Sequence, residues 1–320
     1  MYRIGIDLGG TNIAAAIVND EFKIVKKMSI PTGREREAAL IMDDMAALCK
    51  KVCAEAGIDL SEIEAVGIAS PGVADHDNGV VVYSCNLPFR KFPICAELSK
   101  RIGIDNVHVE NDANAAAWGE AVAGAAKGTQ NSVMITLGTG VGGGVIIDGK
   151  VFSGFNYAGT ELGHIVIEVG GRQCGCGRRG CWEAYSSATG LINMTREKLE
   201  ECEKEGRDTI MTELVAKHGK VSGRTAFDGL RSGDAAAKEV VDTYIEYLAS
   251  GLTSMINIFQ PEVLSIGGGI SGEGQFLIDL VLPIINKERY GGDFVYKKTD
   301  IRIARLGNDA GIVGAAFLGI

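Results

Sequence analysis

Residues 4–18 read IGIDLGGTNIAAAIV and residues 133–147 read VMITLGTGVGGGVII. Each is an apolar run broken by glycine and threonine, a pattern that predicts strand, tight turn, strand. Laid side by side, Asp7 faces Thr136, Gly9 faces Gly138 and Thr11 faces Gly140. Any two tight hairpins share some of this outline. Two copies in one chain nevertheless predict two related lobes, each with a glycine turn aimed at a shared cleft.

Outward from the first hairpin, a third strand is expected over residues 23–30. A helix is expected over 35–56, where Leu40, Ile41, Met45, Leu48 and Val52 recur at helical spacing and Gly57 supplies the stop. Residues 65–69 read as a buried strand ending in Ser70-Pro71-Gly72, and 80–83 as a short strand. Residues 107–109 form a strand running into Asn111-Asp112, where an Ala-rich helix starts and continues to about residue 126. Beyond the second hairpin, residues 152–187 are rich in Gly and Cys and irregular. Helices follow, the longest from about 234 to 259, ended by Pro261. A strand at 263–266 meets Gly267-Gly268-Gly269, and residues 308–319 close the chain as a small-residue helix. Strands interleaved with helices make this an α/β protein.

The 320 residues suffice for two domains and, at 46% apolar, for a sizeable core. The formal charge of −9 argues against gripping nucleic acid or an anionic membrane by bulk charge. It leaves room for a small anionic ligand, which needs only local donors. No apolar run approaches a membrane span, and residues 1–8 read as a strand rather than a targeting segment. Of eight cysteines, three crowd into residues 174–181, which favours a cytoplasmic chain with one metal site over a disulfide framework.

Three glycine clusters could let backbone N–H groups converge on phosphate oxygens: Asp7-Leu8-Gly9-Gly10-Thr11-Asn12, Gly138-Thr139-Gly140 and Gly267-Gly268-Gly269. None carries the Gly-Lys-Ser/Thr of a Walker A loop, and the first joins two strands instead of opening a helix. Each alone is an ordinary turn; all three in this order are specific. Asp112, at a strand end and a helix start, suits an N-cap as well as a carboxylate that accepts a proton from an attacking hydroxyl. Cys174, Cys176 and Cys181 can fold around one ion, with His164 as fourth ligand: a closed, structural zinc site. Its net charge of about −1 would be offset by Arg172, Arg178 and Arg179. Glu161 and Glu183 bracket the metal ligands and would become rigid hydrogen-bond acceptors once that loop is stapled.

These motifs together resemble the ROK sugar kinases, and within them the bacterial glucokinases, over essentially the whole chain. The likeness rests on Asp7-Leu8-Gly9-Gly10-Thr11, Ser70-Pro71-Gly72, Glu110-Asn111-Asp112-Ala113-Asn114-Ala115, Leu137-Gly138-Thr139-Gly140-Val141-Gly142, Glu161-Leu162-Gly163-His164, the Cys174–Glu183 run and Gly267-Gly268-Gly269. It implies an actin-like ATPase (ribonuclease H-like) fold with two lobes around a central cleft. The small lobe would hold residues 1–110 and about 306–320, the large lobe 111–305. It implies Asp112 as general base, with Ser70, Pro71, Gly72, Asn86, Asn111, Asp112, Glu161, His164 and Glu183 around a hexose, most closely glucose. The alternatives are another ROK kinase, for N-acetylmannosamine, N-acetylglucosamine, fructose or allose, and a non-catalytic sugar sensor on the same scaffold. ATP would lie on Gly9, Gly10, Thr11, Asn12, Gly138, Thr139, Gly140, Gly267, Gly268 and Gly269, with Asp7 reaching Mg²⁺ through water. A homodimer is the family expectation. Family repressors carry a DNA-reading helix-turn-helix ahead of the first strand; here Met1 sits directly on that strand, so no nucleic-acid partner is implied.

Overall fold

The structure is a computed structural model that describes residues 1–319. Its strands are β1 (Tyr2–Leu8), β2 (Asn12–Asn19), β3 (Ile24–Pro31), β4 (Ile63–Ser70), β5 (Val73–Asp75), β6 (Val80–Tyr83), β7 (Arg90–Phe92), β8 (Val107–Asn111), β9 (Ser132–Leu137), β10 (Val141–Ile147), β11 (Lys150–Val151), β12 (Val263–Gly267) and β13 (Asp300–Ile303). Its helices are α1 (Ala38–Ala56), α2 (Ile94–Ile102), α3 (Asp112–Val122), α4 (Glu183–Ser186), α5 (Ala188–Glu205), α6 (Ile210–His218), α7 (Thr225–Arg231), α8 (Ala235–Phe259), α9 (Gln275–Glu288) and α10 (Ala310–Ala316). Two compact units result: Met1–Met134 with Gly144–Thr160 and Ala304–Ile320, and Ile135–Gly143 with Glu161–Ile303. Among the described residues no helix is long and apolar enough to cross a membrane.

In the first unit a five-stranded sheet runs β3-β2-β1-β4-β8. The β1–β2–β3 meander is antiparallel; β1, β4 and β8 are parallel. Register places Asp7 beside Ala69, Ala69 beside Glu110 and Ser70 beside Asn111. The first glycine turn, the Ser70-Pro71-Gly72 bend and the start of α3 therefore share the carboxyl ends of three adjacent strands, the usual place for a ligand in open α/β sheets. The core lies between this sheet and α1 and α2, with Ile4, Ile6, Leu8, Ile41, Met45 and Val66 among its fully buried members. Helix α10 lies on the sheet's other face. It comes close because β1 and β4 present Gly5 and Gly67 there: a Cβ at either would collide with the carbonyl of Ile312 or Ala315.

Two helices are shorter than their sequence pattern. Helix α1 begins at Ala38 rather than 35, because the Arg36 guanidinium holds residues 32–36 in a turn through Thr32 O (2.8 Å), Gly33 O (3.3 Å) and Asp44 (2.5 Å). Leu40, counted into its apolar stripe, is exposed; Met42, Ala46, Cys49 and Cys53 complete the buried face. Helix α3 stops at Val122, not near 126. The buried Glu120 carboxylate takes the N–H of Ala125 (2.6 Å) and those of Arg305 (3.0 Å) and Leu306 (2.7 Å), bonds that compete with another helical turn.

A second five-stranded sheet has the order β11-β10-β9-β12-β13. In the second unit α8 is the central helix, flanked by α4, α5, α7 and α9. Trp182, fully buried, lies flat enough on α8 that a Cβ at Gly251 would strike its indole, and its Nε1 donates to Tyr247 O at 3.1 Å.

Candidate active site and metal-binding loop

In the first unit, the turn after β1 is closed by Gly9 N–H donating to Asn12 O (3.0 Å) and by the Thr32 hydroxyl donating to Gly9 O (2.6 Å). Thr11 and Asn12 are exposed; Gly10 packs towards the exposed Asn86, whose Cβ would lie 3.6 Å from a Cβ there. Asp7, at the end of β1, is half-buried. Burial raises its carboxyl above the usual range, and the charge of Lys27 partly offsets this.

Asn111 is the N-cap of α3: its Oδ1 accepts from Ala113 N (2.9 Å) and Asn114 N (3.1 Å). Its Nδ2 donates to Gly72 O at 3.0 Å, which ties the Ser70-Pro71-Gly72 bend to the strand end. With the cap supplied by Asn111, the neighbouring Asp112 stays exposed, its Oδ1 2.8 Å from Ala113 N. Behind this junction stands Glu110, 3% exposed. It accepts from Asn111 N–H (2.8 Å) and Asn114 Nδ2 (3.2 Å) and faces His76 Nδ1 at 2.9 Å. Sequence motifs contained Glu110 and Asn114 but gave them no task; His76 carried no signal at all.

In the second unit, the Gly138-Thr139-Gly140 turn is closed by Gly138 N–H donating to Gly140 O (3.0 Å). Its outer carbonyls are anchored on α5: Ala188 N–H donates to Gly138 O (2.8 Å) and the Thr189 hydroxyl to Thr139 O (2.7 Å). Gly268 has φ 82° and sits against Leu137 so closely that a Cβ would overlap its backbone, so the second and third glycine clusters meet. A cleft of about 230 Å³ lies between Thr139, Gln173, Glu183 and Asn193.

The ligand atoms of His164, Cys174, Cys176 and Cys181 all lie within 4.8 Å of one another. His164 Nδ1 is 3.7 Å from Cys174 Sγ, and Cys176 Sγ is 3.6 Å from Cys181 Sγ. Tetrahedral zinc with S and N ligands sets such edges at about 3.7 Å, so the donor set fits. All three cysteines are free thiols. The loop brings them together through short antiparallel bridges, Val166 with Cys181 and Gln173 with Arg179. The Arg178 backbone N–H holds the Cys176 thiol below its ordinary pKa, while burial pushes Cys174 up to about 12. A metal ion would supply the positive charge that lets all three ionise. The arginines are not grouped as expected. Arg178 donates to His164 O (3.0 Å), but Arg172 is taken by Glu197 in a two-pronged ion pair and Arg179 turns to Gly170 O.

Glu183 opens α4 and accepts from Val141 N–H at 3.1 Å. Gly163 approaches Val141 O so closely that a Cβ there would clash. The loop that carries Gly163 and Glu183 is thus docked on the first residue of β10. Glu161, one turn before His164, is exposed, with its carbonyl accepting from His164 N–H (3.0 Å).

Comparison with known proteins agrees over the full length. The ROK family model matches residues 3–320. The chain is 37% identical over 324 residues to a glucokinase of Thermotoga maritima, covering 98% of this chain and 96% of that one. It is 36% identical over 318 residues to a glucokinase of Halalkalibacterium halodurans, covering 99% and 94%. Among solved structures it resembles a ROK family glucokinase from Streptomyces griseus in complex with glucose and AMPPNP, with a TM-score of 0.79, 33% identity and 99% of both chains covered. The fold is the actin-like ATPase fold of the ROK sugar kinases.

Proposed function

Because the chain belongs to the ROK family, we propose that it is a cytoplasmic ATP-dependent kinase that phosphorylates the 6-hydroxyl of a hexose, with glucose as the preferred substrate. The observation that carries this reading is the row formed at the carboxyl ends of β1, β4 and β8, where Asp7, Ser70 and Asn111 stand on neighbouring strands and Asp112 follows as the first residue of α3. Asp112 is the general base: an exposed carboxylate that takes the O6 proton as the phosphoryl group arrives. The transition state of phosphoryl transfer is loose, so the remaining residues mainly position and neutralise. Asn86, Asn111, Glu161, His164 and Glu183, with the Ser70-Pro71-Gly72 bend, bind hexose hydroxyls. The turns at 9–12, 138–140 and 267–269 hold ATP, whose Mg²⁺ compensates the half-buried Asp7. The small lobe of the kinase is assigned 1–110 with about 306–320 and the large lobe 111–305, a division that differs from the compact units, in which 111–134 and 144–160 fall in the first; the enzyme works as a homodimer.

His164, Cys174, Cys176 and Cys181 hold a structural zinc whose service is rigidity: it fixes Glu161 and Glu183 as acceptors. Three unpaired thiols this close suit a reducing compartment.

The polar lining supports glucose. A site built to hydrogen-bond hydroxyls discriminates against an analogue that leaves a buried group unpaired. A coupled assay for ADP release across a hexose panel tests the reading. Glucose should give the highest kcat/KM, with mannose and glucosamine poorer and N-acetylmannosamine poorest. An N-acetylhexosamine ranked first would overturn the glucose assignment, and no turnover with any hexose would overturn the kinase.

A further inference from the structure

Glu110 is a buried carboxylate on the residue before the N-cap of α3, and its bonds reach both ends of the proposed chemistry. Oε1 accepts the backbone N–H of Asn111, the residue before Asp112, and the side-chain amide of Asn114, two residues after it. Asn114, 1% exposed, passes the connection on: its Oδ1 accepts the Thr160 hydroxyl at 3.0 Å. Thr160 has φ 65°, a left-handed conformation that a β-branched residue adopts only when its surroundings enforce it. It immediately precedes Glu161. One carboxylate therefore fixes the Asn111 backbone before Asp112 and the Asn114 side chain after it, and, through Asn114, the strained residue that leads into a proposed hexose ligand.

The other oxygen of Glu110 faces His76 Nδ1 at 2.9 Å. His76 Nε2 is 3.6 Å from Asp77, Asp75 acts on it electrostatically, and its ring meets Tyr157 edge-on at 5.0 Å. Tyr157 OH in turn donates to Asp77 at 2.5 Å. His76 also lines a cavity of about 500 Å³ bounded by Trp118, His108, Lys150 and Leu318, which gives solvent protons a way in.

We propose that Glu110 is a positioning residue for phosphoryl transfer, holding Asp112 and the Thr160–Glu161 segment in one register, and that His76 sets the strength of that hold from the cavity side. This rests on the kinase reading, with Asp112 as base. A charged imidazolium binds a carboxylate more strongly than a neutral ring does. The Glu110 bond raises His76 above its ordinary value, beyond what burial takes away. The hold is accordingly full below about pH 6.5 and weakens as pH rises through the higher folded value.

The test measures kcat and hexose KM from about pH 6 to 9, spanning the histidine range, in wild type, Glu110→Gln, His76→Asn and Thr160→Val. Glu110→Gln should lower kcat on the order of 10²-fold, the cost of a small misplacement of a catalytic group. Thr160→Val, which removes the hydroxyl and with it the contacts to Asn114 Oδ1 (3.0 Å) and to the preceding carbonyl of Gly159 (2.6 Å), should raise hexose KM more than it lowers kcat. His76→Asn keeps a neutral donor, so its kcat should lack the alkaline decline expected of wild type. The His76 imidazole, one of four in the chain, should titrate at lower pH by NMR in Glu110→Gln. Variants with wild-type kcat, KM and pH profile would overturn the proposal while leaving the kinase reading intact. A wild-type enzyme that phosphorylates no hexose would sink the kinase reading instead. If Glu110→Gln does not fold, the other two variants decide.

Discussion

The carboxylate of Glu183 spans two loops: one oxygen accepts the Val141 backbone N–H at 3.1 Å, and the other lies 3.6 Å from the Cys174 sulfur. Val141 follows the Gly138-Thr139-Gly140 turn directly, so the side chain links a proposed nucleotide loop to the cysteine-rich loop. Cys181 stands two residues before Glu183, so whatever fixes that cysteine restricts Glu183 along the chain, and through the Val141 bond the turn.

Zinc loss should therefore impair binding before it unfolds the protein. Elemental analysis of wild type should give one zinc per chain, and Cys181→Ser should carry almost none. The variant's hexose KM should rise about 10–100-fold, the usual effect of loosening a metal site's surroundings, while circular dichroism still reports a folded chain. Metal-free wild type with full activity would exclude the assignment, as would a disulfide between any two of Cys174, Cys176 and Cys181 in active enzyme.

Asp112→Asn keeps the shape at the start of α3 but is a far poorer proton acceptor. Asn111 already caps the helix, so the fold should not suffer. Turnover should fall about 10²–10⁴-fold, the range for general-base catalysis, with hexose affinity by calorimetry nearly unchanged. More than about a tenth of wild-type kcat would remove Asp112 from the role.

What the sequence disclosed about the site was what is local in it. The glycine turns are contiguous, and three of the four candidate metal ligands fall within residues 174–181, so composition and spacing single them out. Asn111 and Asp112 were both legible as caps; only the coordinates show that Asn111 takes the cap and leaves Asp112 exposed. The tasks of Glu110 and His76 were hidden because their partners are far apart in sequence, residue 76 with 110 and 114 with 160. The arginine grouping failed for a related reason: Arg172 finds Glu197 on α5, a pairing no local pattern encodes. The packing of α3 with α10 in the first unit depends on glycines that periodicity does not weigh.

Gly67, on β4, tests how closely α10 lies on the sheet. A methyl at this position would overlap the Ala315 carbonyl, which belongs to a helix backbone and yields only if α10 shifts. Gly67→Ala should destabilise the chain by about 1–3 kcal/mol, the usual cost of overpacking a core. Equilibrium urea unfolding should show a lower midpoint with an unchanged slope. A midpoint equal to that of wild type would mean that α10 does not sit this close.

Asp7 should show stability and function opposed. Burial raises its carboxyl pKa, with Lys27 offsetting part of the effect. The folded chain thus binds this proton more tightly than the unfolded chain does. Its contribution to stability is fully present below the ordinary value of 3.8 and is lost as pH rises through the folded value. At neutral pH the ligand-free protein carries a partly desolvated charge, a cost that makes sense if the carboxylate serves Mg²⁺-ATP. Asp7→Asn removes the charge and keeps the shape. In the absence of ligands its Tm should exceed that of wild type at pH 7, and the gain should shrink as the buffer is taken towards pH 4, where the wild-type carboxyl accepts its proton. Turnover should fall in the same variant, with the loss concentrated in the response to Mg²⁺ concentration. A variant less stable than wild type at pH 7 would show that the charge is compensated within the chain, and full activity would show that Asp7 does not serve the cation.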